Sequence, residues 1–475
     1  MADPRSRPAR DRRRRAGGRP PRPRVKADPP RLAALEVLRA VAEQDAYANL
    51  LLPARLEAHG LTGRDAAFTT ELVSGTLRRQ GTYDAVIAAC ARRPVTKLQP
   101  AVLDVLRLGA HQLLAMRVPA HAAVATSVEL VRATVGQGPS GLVNAVLRRV
   151  GEQPLDAWVR AVAPDPAHDP HGFAAVAHSH PRWAVDALAE ALGDRSAELE
   201  TLLANDNDPP RVTLVARPGL ATTDELLAAG AAAATYSPWA VVLPGGDPGA
   251  LPAVQEARAG VQDEGSQLVA LALTRAEVDG PDQQWLDLCA GPGGKAALLA
   301  AVAAGRGGHL LAVERQPHRA GLVVGAARAV PEAAVDVVTA DGTVPAWPPG
   351  SFDRVLVDAP CSGLGALRRR PESRWRRRPE DLPGLVALQD ALVRSAVDSV
   401  RPGGVVLYAT CSPVVQETGD VVRRLLDERQ DVTMEDAGGL LPEVGDAAGP
   451  VPGTLQLWPH RHGTDAMFLA LLRRR

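Results

Sequence analysis

The sequence predicts a multidomain chain with three parts. These are an all-α helical bundle, a small α/β linker module, and an α/β domain on an open, doubly wound, mostly parallel sheet. Three observations predict it. Residues 28–152 repeat apolar side chains at spacings of three and four, with no strand signal. Residues 153–258 mix one helical stretch with short β-favouring runs. From about 259, apolar β-favouring runs alternate with helical patterns at the spacing of strand–helix–strand units. A length of 475 residues suits two or three domains, and 46% apolar residues with 3% aromatics implies cores of Ala, Leu and Val.

Within the bundle, helices are expected over 31–44, 48–60, 66–90, 99–116, 121–135 and 141–152. Cys90 falls late in the third and is expected to be a core thiol. In the linker, residues 180–193 form a helix, 207–219 turn and form a strand, and 222–231 open with a capping pattern. In the last domain, strands are expected at WLDLC (285–289), HLLAVE (309–314), VDVVTAD (335–341), DRVLVDAP (353–360) and GGVVLYAT (403–410). Helices are expected over 295–304, 318–329 and 387–400.

The chain has no apolar run long enough for a membrane span and no hydrophobic stretch after its charged N-terminus. Four cysteines, none in a C-x-x-C arrangement, suit a reducing cytoplasm. Formal charge sums to zero, yet residues 1–26 carry ten Arg and one Lys against two Asp. A Pro/Arg/Gly tract of this kind cannot build a core, so residues 1–27 are expected to be a disordered tail, either an electrostatic arm for RNA or a solvated end. Lys is rare: Lys26, Lys97 and Lys295 are the only three, so a Lys inside the loop GPGGK (291–295) suggests a compact ammonium is wanted there.

That loop, LDLCAGPGGKAALL (286–299), follows a strand and opens a helix, where glycines let the backbone approach a ligand. It is neither G-x-G-x-x-G nor a Walker A sequence, since Ala296 stands where Ser or Thr is needed. Acids close the following strands. Glu314 can accept the two hydroxyls of a ribose, Asp341 an adenine amine, and Asp358 lies beside the expected reaction centre. This series fits S-adenosylmethionine better than a dinucleotide.

Cys361 in VLVDAPCSG and Cys411 in VVLYATCSP each follow a strand, where α/β enzymes place their chemistry. Carbon 5 of cytosine accepts a methyl group only after a thiolate adds to carbon 6, and the proton at carbon 5 must then leave. Cys361, Cys411 and Asp358 supply the residue types for that scheme, and the residues alone do not say which thiol attacks. A zinc site from Cys361, Cys411, His460 and His462 lacks ligand spacing, and Cys289 is expected to be wall rather than reagent. The run ALRRRPESRWRRRPE (366–380), with seven Arg and Trp375, is expected to contact RNA phosphates.

Taken in order, LDLCAGPGGK, VDAPCSGLGALRRRPESRW, YATCS and DAMFLALL (465–472), preceded by VQDEGSQLVA (261–270), closely resemble the motifs of the RsmB-type (Fmu/Sun) 16S ribosomal RNA cytosine-5 methyltransferases. The resemblance covers nearly the whole chain after residue 27. It implies a NusB-like RNA-binding bundle over 28–152, a linker over 153–258 and a Rossmann-like class I methyltransferase domain over 259–475. It further implies Cys411 as nucleophile and Cys361 as the thiol assisting release. Cofactor contacts are implied from Cys289, Ala290, Gly291, Pro292, Gly293, Gly294, Lys295, Glu314, Asp341 and Asp358. The implied partner is 16S rRNA or a small-subunit precursor, with cytosine 967 the family's target. No metal and no membrane are expected, and the chain is expected to act as a monomer. Transfer RNA as substrate, or a non-catalytic RNA-binding role, are the competing readings. The chain departs from the family pattern at Gly291 (usually Ala), Glu314 (commonly Asp), Ala466 (usually Gly) and along SPVVQET (412–418).

Overall fold

The computed structural model describes residues 27–44 and 46–475, so the Arg-rich segment 1–26 lies outside the described residues. Seven helices over Pro29–Val150 enclose one apolar core. The first, Pro29–Glu43, is started by Asp28, which accepts from the Arg31 amide at 3.4 Å, and by prolines that need no amide partner there. Tyr83 and His111 bond across the core at 2.9 Å, and Cys90 is buried in it, as expected.

The single helix expected over 66–90 is two, Gly63–Arg78 and Gln80–Ala91. Tertiary contacts explain the break. The Gly81 amide bonds Ser179 Oγ at 2.9 Å, and a Cβ on Gly81 would lie 2.3 Å from the Trp375 ring. Helices continue to Asn205 before a small antiparallel sheet begins. Its strands β1 (Val212–Ala216), β2 (Ala232–Ala233), β3 (Ala240–Leu243) and β4 (Ala259–Val261) lie in the order β2-β3-β1-β4.

The large sheet holds β5 (Gln284–Asp287), β6 (His309–Glu314), β7 (Val335–Thr339), β8 (Phe352–Asp358) and β9 (Val400–Thr410), all parallel. Three further strands are antiparallel: β10 (Val432–Glu435), β11 (Leu455–Gln456) and β12 (Phe468–Arg474). The order is β10-β12-β9-β8-β5-β6-β7, with β11 paired to β12. Period-two alternation feeds two cores. Val405, Leu407 and Ala409 pack with the helices Glu264–Arg275 and Gly294–Gly305, while Val406 and Tyr408 pack with Leu382–Ser399.

The arginine run after Cys361 does not match its expected role. Most of its cations are consumed inside the chain. Arg374 is fully buried and donates to Ser179 O (3.0 Å), Asn207 Oδ1 (2.9 Å) and Asp206 O (3.2 Å). Arg376 donates to Val41 O and Ala46 O, Arg370 and Arg376 stack on Tyr47, and Arg368 bonds Gly463 O. Arg369 pairs with buried Asp465. Trp375 packs on Gly81 instead of offering a stacking face. The reason is geometric: backbone carbonyls at helix ends face the run, and a guanidinium with five donors satisfies several of them at once. The segment therefore fastens the catalytic part to the helical region.

Candidate active site

The parallel topology aligns the carboxyl ends of β5, β6, β7, β8 and β9, and the catalytic and cofactor residues anticipated in the sequence sit at or just beyond them. Asp287 closes β5 and accepts from the Cys289 amide at 3.1 Å; burial, then the nearby Asp358, pushes its carboxyl up to about 7. The chain next turns through Ala290, Gly291 and the exposed Pro292 into the helix that begins at Gly294. Gly293 sits at φ +111°, and a Cβ there would lie 2.8 Å from both Val323 Cα and Ala326 Cβ, so the loop packs against the next helix only as glycine. Burial holds the Cys289 thiol well above its ordinary range, which fits a wall residue.

Glu314, ending β6, is buried and receives the Gly291 amide at 3.1 Å and the Gln316 amide at 2.9 Å. Arg319 lies 3.6 Å from it and also bonds Gly291 O at 2.6 Å. A Cβ on Gly291 would stand 2.1 Å from Glu314 Oε2. The two departures Gly291 and Glu314 are therefore one: the longer acid occupies the space an alanine methyl would take. Gly291→Ala is expected to weaken cofactor binding about tenfold, near 1.4 kcal/mol, with Glu314→Asp restoring it. Calorimetric titration of the three variants checks this, and additive losses in the double variant would refute the coupling.

Asp341 lies beyond β7, where Thr343 bonds its Oδ1 through N (3.0 Å) and Oγ1 (2.7 Å) and holds its carboxyl below the usual range. Lys295 reaches across the crevice to Asp358, Nζ to Oδ2 at 2.8 Å. This is the one Lys of the catalytic half, and it neutralises an acid beside the thiols.

The Cys361 and Cys411 sulfurs are 3.4 Å apart. Their surroundings differ. Cys411 has the Cys361 thiol within hydrogen-bonding distance and feels Lys295 and Arg370, which together lower its pKa against burial and Asp358. Cys361, in contact with Cys411, buried and facing Glu417, is held well above the ordinary thiol range. The arrangement makes Cys411 the more readily ionised of the two thiols.

The sequence reading passed over the residue that joins the two thiol loops. Glu417 is fully buried and bonds both Ser362 and Ser412. Its signal was the repeated Cys-Ser pair, 361–362 and 411–412, which asks for one shared partner. His460 and His462 are engaged elsewhere, with Glu198 at 2.7 Å and with the Trp458 amide at 2.8 Å.

The crevice fits a methyl donor bearing an adenosine. Gln262 Oε1 and Asp287 Oδ2 are buried beside the GPGGK loop with no hydrogen-bond partner among the described residues, and a Cβ on Gly294 would approach Gln262 at 3.5 Å. These acceptors suit an ammonium or hydroxyl group.

Comparisons with known proteins agree with this geometry. The family model for 16S rRNA methyltransferase RsmB/F matches residues 276–473, and the NusB family model matches 28–152. A Mycobacterium tuberculosis protein named as a methyltransferase is 53% identical over 448 residues, covering 94% of this chain and 97% of its own. The ribosomal RNA small subunit methyltransferase B of Erwinia tasmaniensis is 32% identical, with 93% of this chain and 98% of its own covered. That of Pseudomonas putida is 33% identical, with 84% and 88% covered. Among solved structures, the crystal structure of PH0851 shares the fold at a TM-score of 0.78 and 22% identity, covering 94% of this chain and 99% of that one. The chain belongs to the RsmB/F family of 16S rRNA methyltransferases, enzymes that take their methyl group from S-adenosylmethionine.

Proposed function

We propose that this protein methylates carbon 5 of a cytosine in 16S rRNA, position 967 by family resemblance, through a covalent bond between Cys411 and the base. The observation that carries the reading is the thiol pair at 3.4 Å at the mouth of the cofactor crevice, with the pKa of Cys411 lowered and that of Cys361 raised.

S-adenosylmethionine would supply an electrophilic methyl group there. Glu314, Asp341 and the loop from Cys289 to Lys295 would hold it, with Gln262 and Asp287 as further acceptors. Cys411 adds to carbon 6 of the cytosine, which gives carbon 5 enamine character. Asp358, already paired with Lys295, faces the ring nitrogen and amine and favours the activated pyrimidine. Once carbon 5 is methylated, a solvent base takes its proton, and the freed electron pair restores the carbon 5–carbon 6 double bond as the carbon 6–sulfur bond breaks. Cys361 steadies the departing Cys411 thiolate through its S–H. The target base must leave its stack to reach the thiols.

In this reading residues 28–152 are an RNA-binding domain, 153–258 a linker and 259–475 the methyltransferase domain. The chain acts as a cytoplasmic monomer. No helix among the described residues is long and apolar enough to cross a membrane. Bisulfite sequencing of ribosomal and transfer RNA, from cells with and without the gene, tests the assignment. Loss of one 16S 5-methylcytosine is the expected result. An unchanged 16S pattern with a lost transfer-RNA mark would move the substrate, and no change anywhere would refute the chemistry.

A further inference from the structure

One buried acid at the site takes part in none of the steps above. Glu417 ends the short turn Val415–Glu417 after β9 and has no exposed surface. Its Oε1 accepts from the Ser362 amide at 2.7 Å and from Gln389 Nε2 at 3.1 Å. Its Oε2 accepts from the Ser362 and Ser412 hydroxyls at 2.5 and 2.6 Å. Ser362 follows Cys361 and Ser412 follows Cys411, so the four bonds span both thiol loops. The acid is itself fixed, since Tyr408 donates to its backbone carbonyl at 2.7 Å and Gln389 also grips Pro360 O at 2.8 Å.

We propose that Glu417 is a positioning residue for the thiol pair: it clamps the loops carrying Cys361 and Cys411 and thereby sets their sulfurs at hydrogen-bonding distance. The proposal rests on the reading that these thiols perform the chemistry. The two loops leave separate strands, β8 and β9, and no covalent link fixes their spacing. A reacting pair must be held to within about 0.5 Å of its working geometry, and a sulfur–hydrogen bond fades over a similar displacement. An ionised carboxylate is acceptor-only with about four sites, which matches four converging donors. The clamp also lets charge act unequally. Lys295, Arg369, Arg370 and Asp358 face Cys411, whereas Glu417 and Tyr408 face Cys361.

Two substitutions separate clamp from charge. Glu417→Ala leaves two hydroxyls and an amide without their acceptor and frees the loops. Glu417→Gln removes the charge but keeps much of the tie, because the serine hydroxyls can rotate to accept from the new amide. The measurement is the pH profile of iodoacetamide alkylation at Cys411, read by peptide mass spectrometry on the full-length protein without RNA or cofactor. With Glu417→Ala the midpoint is expected to rise by about one unit, a roughly tenfold slower reaction at neutral pH. Glu417→Gln should stay within about threefold of the native protein, and kcat of the Ala variant should fall with KM for RNA little changed.

Ser412→Ala, which cuts only the Cys411 side of the clamp, should shift the profile in the same direction and decides the matter if Glu417→Ala does not fold. A folded Glu417→Ala or Ser412→Ala protein with the native alkylation profile and kcat would overturn the proposal. Failure of the underlying reading looks different: no covalent RNA complex would form with Cys361→Ala, while alkylation of Cys411 would still depend on Glu417.

Discussion

Cys361→Ala is expected to arrest the protein on its RNA as a covalent complex, and Cys411→Ala to form none. Both should lower turnover by about 10³-fold or more, because each removes a group acting on the bond being made or broken. The variants differ in where they stop. Without Cys411 there is no nucleophile, so RNA binds and dissociates unchanged. Without Cys361 the attack still occurs, more slowly, since the Cys411 sulfur is still present although the contact that most lowers its pKa is gone. The leaving thiolate, however, has lost the S–H that stood 3.4 Å away. A denaturing gel with labelled RNA and S-adenosylmethionine reads the difference as a shifted band. A band from Cys411→Ala and none from Cys361→Ala would exchange the two roles, and no band from either would remove the covalent pathway.

Arg374→Ala is expected to cost about 3–5 kcal/mol, since it deletes a fully buried cation on which several acceptors depend. Burial lowers the Arg374 pKa to about 10, so the side chain is still a cation at neutral pH. Its removal strips a donor from Ser179 O, Asp206 O and Asn207 Oδ1 and opens a void between three parts of the chain. Because unfolding of so large a chain is not two-state, hydrogen exchange is the better measurement. Protection should fall at 78–83 and 176–181, around Ser179 and Gly81, and along 361–376. Arg374→Met, which refills most of the volume, should recover only part of it. Native protection in Arg374→Ala would show that the clasp contributes little.

The parallel strands and the acids at their ends were legible because period-two alternation and strand-terminal polar residues are local patterns. The two thiols were legible for the same reason. What escaped was long-range. β12 was visible only as the motif at 465–472, and its antiparallel pairing with β9 depends on a partner far along the chain. The break at Arg79 is imposed by Ser179 and Trp375, neither of which the local helical pattern can register. The arginine run read as an RNA surface because charge density in a sequence does not reveal which carbonyls face it. Glu417 looked like a loose residue after Cys411, since its donors come from Ser362 and Gln389 as well as from nearby Ser412.

The clasp also bears on how such a chain can be taken apart. One stretch of backbone carries Cys361 at its start and, further on, arginines seated in the carbonyls of the helical region. A catalytic half expressed alone would lack the surface against which that stretch is set. Exchange of residues 28–152 for another module would take away the Val41 and Ala46 carbonyls and the Tyr47 ring that seat Arg370 and Arg376. The two halves are thus not interchangeable parts on a string. Recombination at their junction would succeed only where the incoming module brought its own socket for these arginines.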